Sequence, residues 1–187
     1  MRISFFTLGV LVAMATMSTC EAQIPMVEPH DWPWWRGPHS NGIADDGQQP
    51  PEQWTATKNV NWKIDIPGRG HSSPIVIGNR IVMATADEKT KTQSIICIDR
   101  KRAAQIWKRD VNQGGFPQRI NRRNTHASST VAWDGTRLIA LFLHHDAIQV
   151  VALDLNGKLL WQQTAGTFTP NQYKNGYAAS PFCAARL

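Results

Sequence analysis

The sequence predicts an all-β fold made of a repeated four-stranded antiparallel unit. A short phrase centred on serine recurs, and its members Ser73, Ser129 and Ser180 lie 56 and 51 residues apart. The dipeptides Gly-Asn, Asp-Gly and Asn-Gly separate runs that are rich in β-branched and apolar residues, a pattern typical of β-hairpins. Beyond the first 22 residues we find no helical period, so strands are expected throughout.

A second phrase, an aspartate followed by a tryptophan, recurs out of phase with the serine phrase. Asp99 precedes Trp107 by eight residues, and Asp154 precedes Trp161 by seven. The two aspartates are 55 residues apart and the two tryptophans 54. Trp62 stands where an earlier copy of the unit would end. Matching spacings at several landmarks indicate a genuine internal repeat.

The first unit divides into four predicted strands. Gly78 and Asn79 form a two-residue hairpin signal with glycine first, which suits a type II′ turn. The predicted strands are residues 73–77, 80–86, 94–98 and 105–111.

The second unit follows the same plan. We expect a turn at Asp134 and Gly135, a bend at residues 144–146, and a turn around Asn156 and Gly157, since such residues favour tight turns. The predicted strands are residues 129–133, 136–143, 148–154 and 158–164. A third unit begins at Gly176.

Four antiparallel strands in about 50 residues are typical of a β-propeller blade. The fold class predicted is therefore a partial β-propeller of about two and a half blades. Closed propellers use about 4–8 blades, so residues 59–187 are not expected to close a ring alone. Three explanations stay open: a truncated or incomplete chain, a ring assembled from several chains, or a small open β protein.

The repeat resembles the pyrroloquinoline-quinone-type (PQQ-type) propeller repeat. The run Asp-Leu-Asn-Gly-Lys-Leu-Leu-Trp at 154–161 matches its core well, whereas residues 101–104 depart from the Thr-Gly-Lys turn. The leader Trp-Pro-Trp-Trp-Arg-Gly-Pro at 32–38 resembles the opening of exported proteins of this class. The resemblance implies that an N-terminal segment completes the last blade, and that it has no dock if that blade is absent.

The resembled family includes quinoprotein dehydrogenases and the propeller lipoprotein of the outer-membrane assembly machine. Pyrroloquinoline quinone and calcium are therefore implied by resemblance only. The dehydrogenases carry acidic and amide calcium ligands, and many carry a vicinal cysteine pair. This chain has no Cys-Cys pair, and we assign no cofactor-binding residue.

The first 22 residues predict a secretory signal peptide. Met1 and Arg2 precede a mostly apolar run at 3–17, and small and polar residues lead to a cleavage site near Ala22. Two alternatives stay open, an uncleaved membrane anchor and a lipoprotein modified at Cys20. The predicted organisation is a signal peptide (1–22), a Trp-rich leader (23–58) and propeller repeats (59–187), secreted or in the periplasm or cell envelope, with no stable transmembrane span after cleavage.

Composition narrows the chemistry further. The net charge of +6 suits anionic partners, whereas the secretory address argues against nucleic acid. Three cysteines exclude a four-cysteine zinc site and a disulfide-dense scaffold. No nucleophile elbow, phosphate-binding loop or assignable Ser-His-Asp set is present, so no catalytic and no metal-binding residue is predicted.

The repeated residues are expected to be structural. The tryptophans Trp62, Trp107 and Trp161 should pack between neighbouring blades, with the indole N–H donating to a backbone carbonyl. Asp99 and Asp154 precede tight turns, where a carboxylate can cap backbone N–H groups.

The loops that lead from one blade to the next are the candidate binding site. Residues 68–71, 119–126 and 173–177 each precede an innermost strand, and such loops open at one end of a propeller channel. Their arginine, histidine and tyrosine side chains suit carboxylate, sulfate or phosphate groups. The candidate residues are Arg69, His71, Arg122, Arg123, His126 and Tyr177.

The predicted function is a non-catalytic binding or scaffold module. It would hold a protein, or an anionic or polyhydroxyl polymer, at the channel or rim. Two alternatives stay open: a fragment of a quinoprotein oxidoreductase, and a non-functional truncated product.

Overall fold

Two four-stranded antiparallel sheets make up the fold, as the sequence predicts. The structure is a computed structural model that describes residues 27–169 and 175–183. The first sheet contains β1 (Ile75–Ile77), β2 (Arg80–Asp87), β3 (Thr92–Asp99) and β4 (Ala104–Gln113). The second contains β5 (Ala132–Trp133), β6 (Leu138–His144), β7 (Ala147–Leu153) and β8 (Leu159–Thr167). In both, the strands are paired in chain order.

Some predicted features lie outside the described residues, namely the signal peptide (1–22), its Cys20, and the loop residues Tyr173 and Lys174. Within the described ranges no helix is long and apolar enough to cross a bilayer.

The backbone angles of two turns agree with the turn residues identified in the sequence. At the β1–β2 turn, φ is +54° at Gly78 and not positive at Asn79, as a type II′ turn requires. At the β6–β7 turn, both His145 and Asp146 have positive φ, +49° and +54°, which is the type I′ signature.

The predicted two-residue turn at Asp134 and Gly135 is wrong. Trp133 pairs with Leu138, so the β5–β6 connection is a four-residue loop. Asp134 creates this loop because its Oδ1 accepts the N–H groups of Thr136 (2.9 Å) and Arg137 (2.6 Å). Because the Asp134 carboxylate accepts these two N–H groups, Thr136 and Arg137 do not extend strand β6.

The strand pairing corrects the repeat alignment by one residue. In each sheet one row of paired residues crosses all four strands and ends at the tryptophan. The rows are Ile75, Val82, Cys97 and Trp107 in the first sheet, and Ala132, Ile139, Ala152 and Trp161 in the second. Ser73 is therefore level with Thr130 and not with Ser129. Apolar pairing sets the register, and the serine phrase does not follow it.

The two sheets also share their irregularities. Register shifts fall beside Gln93 and Cys97 in β3, and beside Ile148 and Ala152 in β7. These are equivalent places in the two units. Bulges increase local twist, so both outer strand pairs twist at the same two points.

The core lies between the sheets. One face of the first sheet contributes Ile75, Val82, Ile95 and Cys97, all 0% exposed. The facing side of the second sheet contributes residues of β6 and β7, which include Leu138, Phe142, Val151 and Leu153. Face-to-face burial of apolar strands is the main stabilising contribution in such stacks.

The leader packs on the inner strands. This corrects the expectation that it has no packing site when the last blade is absent. Trp32 forms an antiparallel bridge with Val76 of β1. The carbonyl of Pro33 accepts the N–H of Trp133 at 2.8 Å. Trp34 is 6% exposed and meets the ring of Phe182 edge-on at 6.3 Å. The leader thus lies across the ends of the inner strands, where the Trp34 ring is removed from water and the Trp35 ring remains exposed.

Residues 175–183 contain no strand, yet they continue the arrangement of the inner strands. Ser129 Oγ donates to the carbonyl of Ala179 at 2.8 Å, and the N–H of Thr130 donates to Ser180 Oγ at 2.9 Å. The described part of the predicted third unit therefore lies against β5 and the residues before it, as a following inner strand would.

Candidate functional site

The residues that lead into β1 and β5 are each held by a hydroxyl from the following unit. The N–H of Ser73 donates to Thr130 Oγ1 at 3.2 Å, and the N–H of Thr130 donates to Ser180 Oγ at 2.9 Å. The described residues of the loops that precede these positions therefore lie at one end of the inner strands. The leader contacts Val76 and Trp133 at the other end of the inner strands.

Two of these loops, together with the β2–β3 turn, line a basic hollow, which we call the outer hollow. Its volume is about 580 Å³, and its charged lining residues are Arg69, Glu88, Lys91, Arg119 and Arg122. The four cations outnumber the single carboxylate. The guanidinium of Arg69 contacts Glu88 Oε1 at 3.6 Å and donates to the carbonyl of Arg122 at 3.2 Å.

A second hollow, the inner hollow, lies where the inner strands begin. It measures about 480 Å³ and is lined by His71, Asn121, Arg123, Asn124, Ser128, Asn175 and Ala178. Its lining contains no acidic residue and one arginine. Asn121 and Asn124 also line the outer hollow, so the two hollows share a wall.

The structure thus divides the candidate residues into three groups. Arg69, Arg122 and His126 line the outer hollow, whereas His71 and Arg123 line the inner one. Tyr177 lines neither hollow. It shares a small cavity of about 10 Å³ with His126, and its ring meets Phe168 edge-on at 5.4 Å.

Sequence reasoning left two cations of the outer hollow, Lys91 and Arg119, out of the candidate set. Arg119 lies in the same loop as Arg122, so the sequence alone could have placed it among the candidate residues. Lys91 lies in the β2–β3 turn, and its own φ is +53°. No spacing pattern links that turn to the interblade loops, so its contribution depends on the fold.

The His126 side chain forms part of the lining of the outer hollow. Its ring stacks on Phe116 with centroids 4.1 Å apart, and burial lowers its pKa, with Glu88 opposing and Arg69 adding to the effect. The ring is therefore neutral at pH 7. Its carbonyl accepts from Gln93 Nε2 at 2.8 Å, which fixes the loop to the first sheet.

Tyr177 is likewise a packed group. Burial raises the pKa of its phenol, so the hydroxyl stays protonated at neutral pH. Its neighbours in the small cavity include Leu141 and Phe142 of β6. This places the start of the described third segment against the second sheet.

The repeated tryptophans differ in their contacts. Trp107 Nε1 donates to the carbonyl of Leu155 at 3.0 Å, and its ring lies over Gly157. Trp161 holds the equivalent place in the second sheet and is half-buried. Trp62 is 37% exposed and lines a shallow hollow with Arg100. Since Arg100 follows Asp99 as Leu155 follows Asp154, Trp62 lies beside the corresponding turn of the first sheet.

The repeated aspartates both cap turns. Asp99 Oδ1 accepts the N–H groups of Lys101 (2.9 Å) and Arg102 (2.8 Å). Asp154 Oδ1 accepts those of Asn156 (2.8 Å) and Lys158 (2.9 Å). The hydrogen bond from the N–H of Arg102 is the largest cause that lowers the pKa of Asp99. Both carboxylates are engaged by their own turns and are directed away from the candidate hollows.

The remaining reactive groups include a buried cysteine. Cys97 is 0% exposed, and burial raises its pKa to about 11, so its thiol stays protonated and unreactive. Within residues 27–169 and 175–183 no three His, Cys, Asp or Glu side chains are grouped to hold a metal ion.

Comparison with known proteins agrees with the repeat analysis. No curated protein matches the chain significantly. The family model of outer membrane protein assembly factor BamB, a PQQ-like propeller repeat, matches residues 53–178. That range contains both sheets and all three interblade loops up to Ala178. Since the match covers more than half of the chain, this protein belongs to the BamB/PQQ-like repeat family.

Proposed function

We propose that this protein is an exported propeller module that binds an anionic partner and does not itself catalyse a reaction. The observation that carries the proposal is the outer hollow, where Arg69, Lys91, Arg119 and Arg122 surround a space with Glu88 as its single carboxylate. Arginine forms bidentate contacts with carboxylate, sulfate and phosphate groups. A positive lining also accelerates encounter with anions.

The family supports a binding role and a location in the envelope. Its description names an outer-membrane assembly factor, and assembly factors act through contacts with partners. The proposed export depends on the apolar segment after Arg2 and on cleavage near Ala22. Mass spectrometry of the N-terminus after expression in a bacterial host tests this part, and a cytoplasmic chain that begins at Met1 would contradict it.

Binding is tested by titrating the purified protein with a panel of anionic and neutral polymers and envelope proteins. We expect binding that weakens as salt is raised, because the cations are exposed to screening. Arg122→Ser should weaken it about fivefold or more, whereas Lys101→Ser, at the opposite end near Asn79, should leave it unchanged. Equal effects of the two variants would count against the loop end as the binding site.

The quinoprotein alternative has a separate assay. The purified protein is incubated with pyrroloquinoline quinone and Ca²⁺, and dye-linked oxidation of alcohols and sugars is measured. We expect no turnover above that of the free quinone. Saturable turnover that requires the folded protein would overturn the non-catalytic assignment.

A further inference from the structure

We propose that the anionic partner is an acidic polysaccharide that occupies the outer and inner hollows together. This inference rests on the proposed function and goes beyond it, because it specifies the chemical class of the ligand. It starts from the shared wall of the hollows, Asn121 and Asn124. A ligand that follows the loop surface passes from one hollow to the other across these two residues.

The wall between the hollows is held rigidly. Asn121 Oδ1 accepts the N–H of Arg123 at 2.9 Å. Asn124 Oδ1 accepts the N–H of Thr125 at 2.8 Å and also a bond from Ser128 Oγ, and its Nδ2 donates to the carbonyl of Asn175. These amides are thus used within the wall. A binding surface that is ordered before the ligand arrives loses less entropy on binding.

The cations on either side of the wall are available to a ligand. Among the described residues, no side-chain hydrogen bond or ion pair engages the guanidinium groups of Arg119, Arg122 and Arg123. Arg119 and Arg122 line the outer hollow and Arg123 lines the inner one. Anionic groups can therefore be bound in both hollows, which favours a repeating polyanion over a single small anion.

The inner hollow favours a sugar polymer over an acidic peptide. Six of its seven lining residues carry a polar side chain, and these side chains can exchange hydrogen bonds with the hydroxyl groups of a sugar. Peptides also bind by adding a strand to a free sheet edge, and residues 114–131 contain no strand. The imidazole of His71, the amide of Asn175 and the guanidinium of Arg123 suit hydroxyl and carboxylate or sulfate groups.

The experiment is calorimetric titration of the full-length protein with five probes. They are polygalacturonate, dextran sulfate, neutral dextran, poly-glutamate and inorganic sulfate. We expect binding of the first or second probe at least about tenfold tighter than of the other three. Polygalacturonate and dextran sulfate separate carboxylated from sulfated sugars. Two further titrations, with galacturonate oligomers and with monomeric galacturonate, test occupancy of both hollows, because a ligand that spans them should bind more tightly than the monomer.

Single substitutions localise the binding. Arg119→Ser in the outer hollow and Arg123→Ser in the inner hollow should each weaken polysaccharide binding about fivefold. Lys101→Ser is the matched control and should have no effect. Thermal melts of every variant exclude unfolding as the cause. An effect of Arg119→Ser without an effect of Arg123→Ser would overturn the two-hollow arrangement.

The outcomes also separate this inference from the proposed function. Equal binding of poly-glutamate and polygalacturonate would overturn the sugar assignment, yet a binding module would remain. Binding of an envelope protein, with no polysaccharide bound, would likewise overturn the sugar assignment alone. Quinone-dependent turnover without binding of any polymer would overturn both.

Discussion

The two sheets have the same strand order and the same bulges, but their equivalent faces meet different surroundings. In the first sheet, Val82 and Ile95 lie on the face that packs on the second sheet, and both are 0% exposed. The equivalent residues of the second sheet, Ile139 and Val150, are partly exposed. The same apolar pattern is thus fully buried in the first sheet and only partly covered in the second. In this fold, apolar side chains become fully buried where two neighbouring units pack together, and a single unit does not bury them alone.

The polar content of the two faces differs as well. Gln93 of β3 is 0% exposed, accepts from Asn112 Nδ2 at 2.8 Å, and donates to the carbonyls of His126 and Leu143. Asn112 Oδ1 in turn accepts from Gln162 at 2.8 Å. The second sheet has Ile148 and Gly166 where the first has Gln93 and Asn112. The first joint is therefore fixed by directional bonds, whereas the second face offers apolar contact without them.

The largest expected difference between the sheets is at the tryptophans. Trp107→Ala should reduce the free energy of unfolding by about 3–5 kcal/mol, because it removes both the ring over Gly157 and the bond to Leu155. Trp161→Ala should cost about 1–2 kcal/mol: both rings are half-buried, but among the described residues only the Trp107 indole of the two donates to a carbonyl. Urea denaturation of both variants measures the difference. Equal losses would show that the second face is covered in solution.

The next difference is at the aliphatic positions of the same faces. Ile95→Ala should cost about 2–4 kcal/mol, as for other fully buried aliphatic residues. Val150→Ala, at the equivalent position, should cost about 1 kcal/mol or less. The comparison uses the same denaturation assay at two protein concentrations. A large, concentration-dependent loss for Val150→Ala would reveal association through this face.

The β3–β4 and β7–β8 turns provide a smaller test. Ala103 has φ of +51° and Gly157 has φ of +80°, and each lies two residues before the strand partner of Ile98 or Leu153. Gly157→Ala should cost at least about 1–2 kcal/mol in backbone strain, and its Cβ would lie 2.7 Å from the Trp107 ring. Ala103→Gly should stabilise the protein by up to about 1 kcal/mol. A loss of stability in Ala103→Gly would refute the left-handed assignment at that residue.

The smallest expected effect is a dependence of stability on acid. Backbone N–H donors lower the pKa of Asp99 and of Asp87. The stabilising contribution of each carboxylate is therefore full above the ordinary carboxyl pKa of about 4 and is lost as the pH falls below it. Asp99→Asn should flatten the decline in melting temperature between about pH 4 and pH 2. An unchanged slope would show that this cap does not contribute to acid unfolding.

Much of the fold could be predicted from sequence because its signals are local. The Gly78 turn and the bend at His145 depend on backbone preferences of a few neighbouring residues, and both were placed correctly. The β5–β6 loop was missed because Asp134 competes for the N–H groups of β6. The one-residue error at Ser73 arose because register is decided by apolar rows across the sheet.

The candidate site was predictable only in part. Arg69 and Arg122 precede inner strands, so the repeat itself brought them to the same end of the molecule. Lys91 comes from an outer turn, and only the packing of the sheets places it beside them. His126 lines the same hollow, but its stacking on Phe116 depends on the packing of the chain and no sequence pattern predicts it.

The hydrogen bonds at the starts of the inner strands all run in one direction, from a backbone N–H of one unit to a hydroxyl of the following unit. The N–H of Ser73 donates to Thr130 and the N–H of Thr130 donates to Ser180, so the second unit supplies the acceptor for the first and takes its own acceptor from the third segment. Gene duplication that inserts a whole unit preserves every such donor and acceptor. Recombination within a unit leaves an inner strand without its acceptor. Lineages of this protein should therefore gain and lose blades in whole units, with breakpoints in the loops between them.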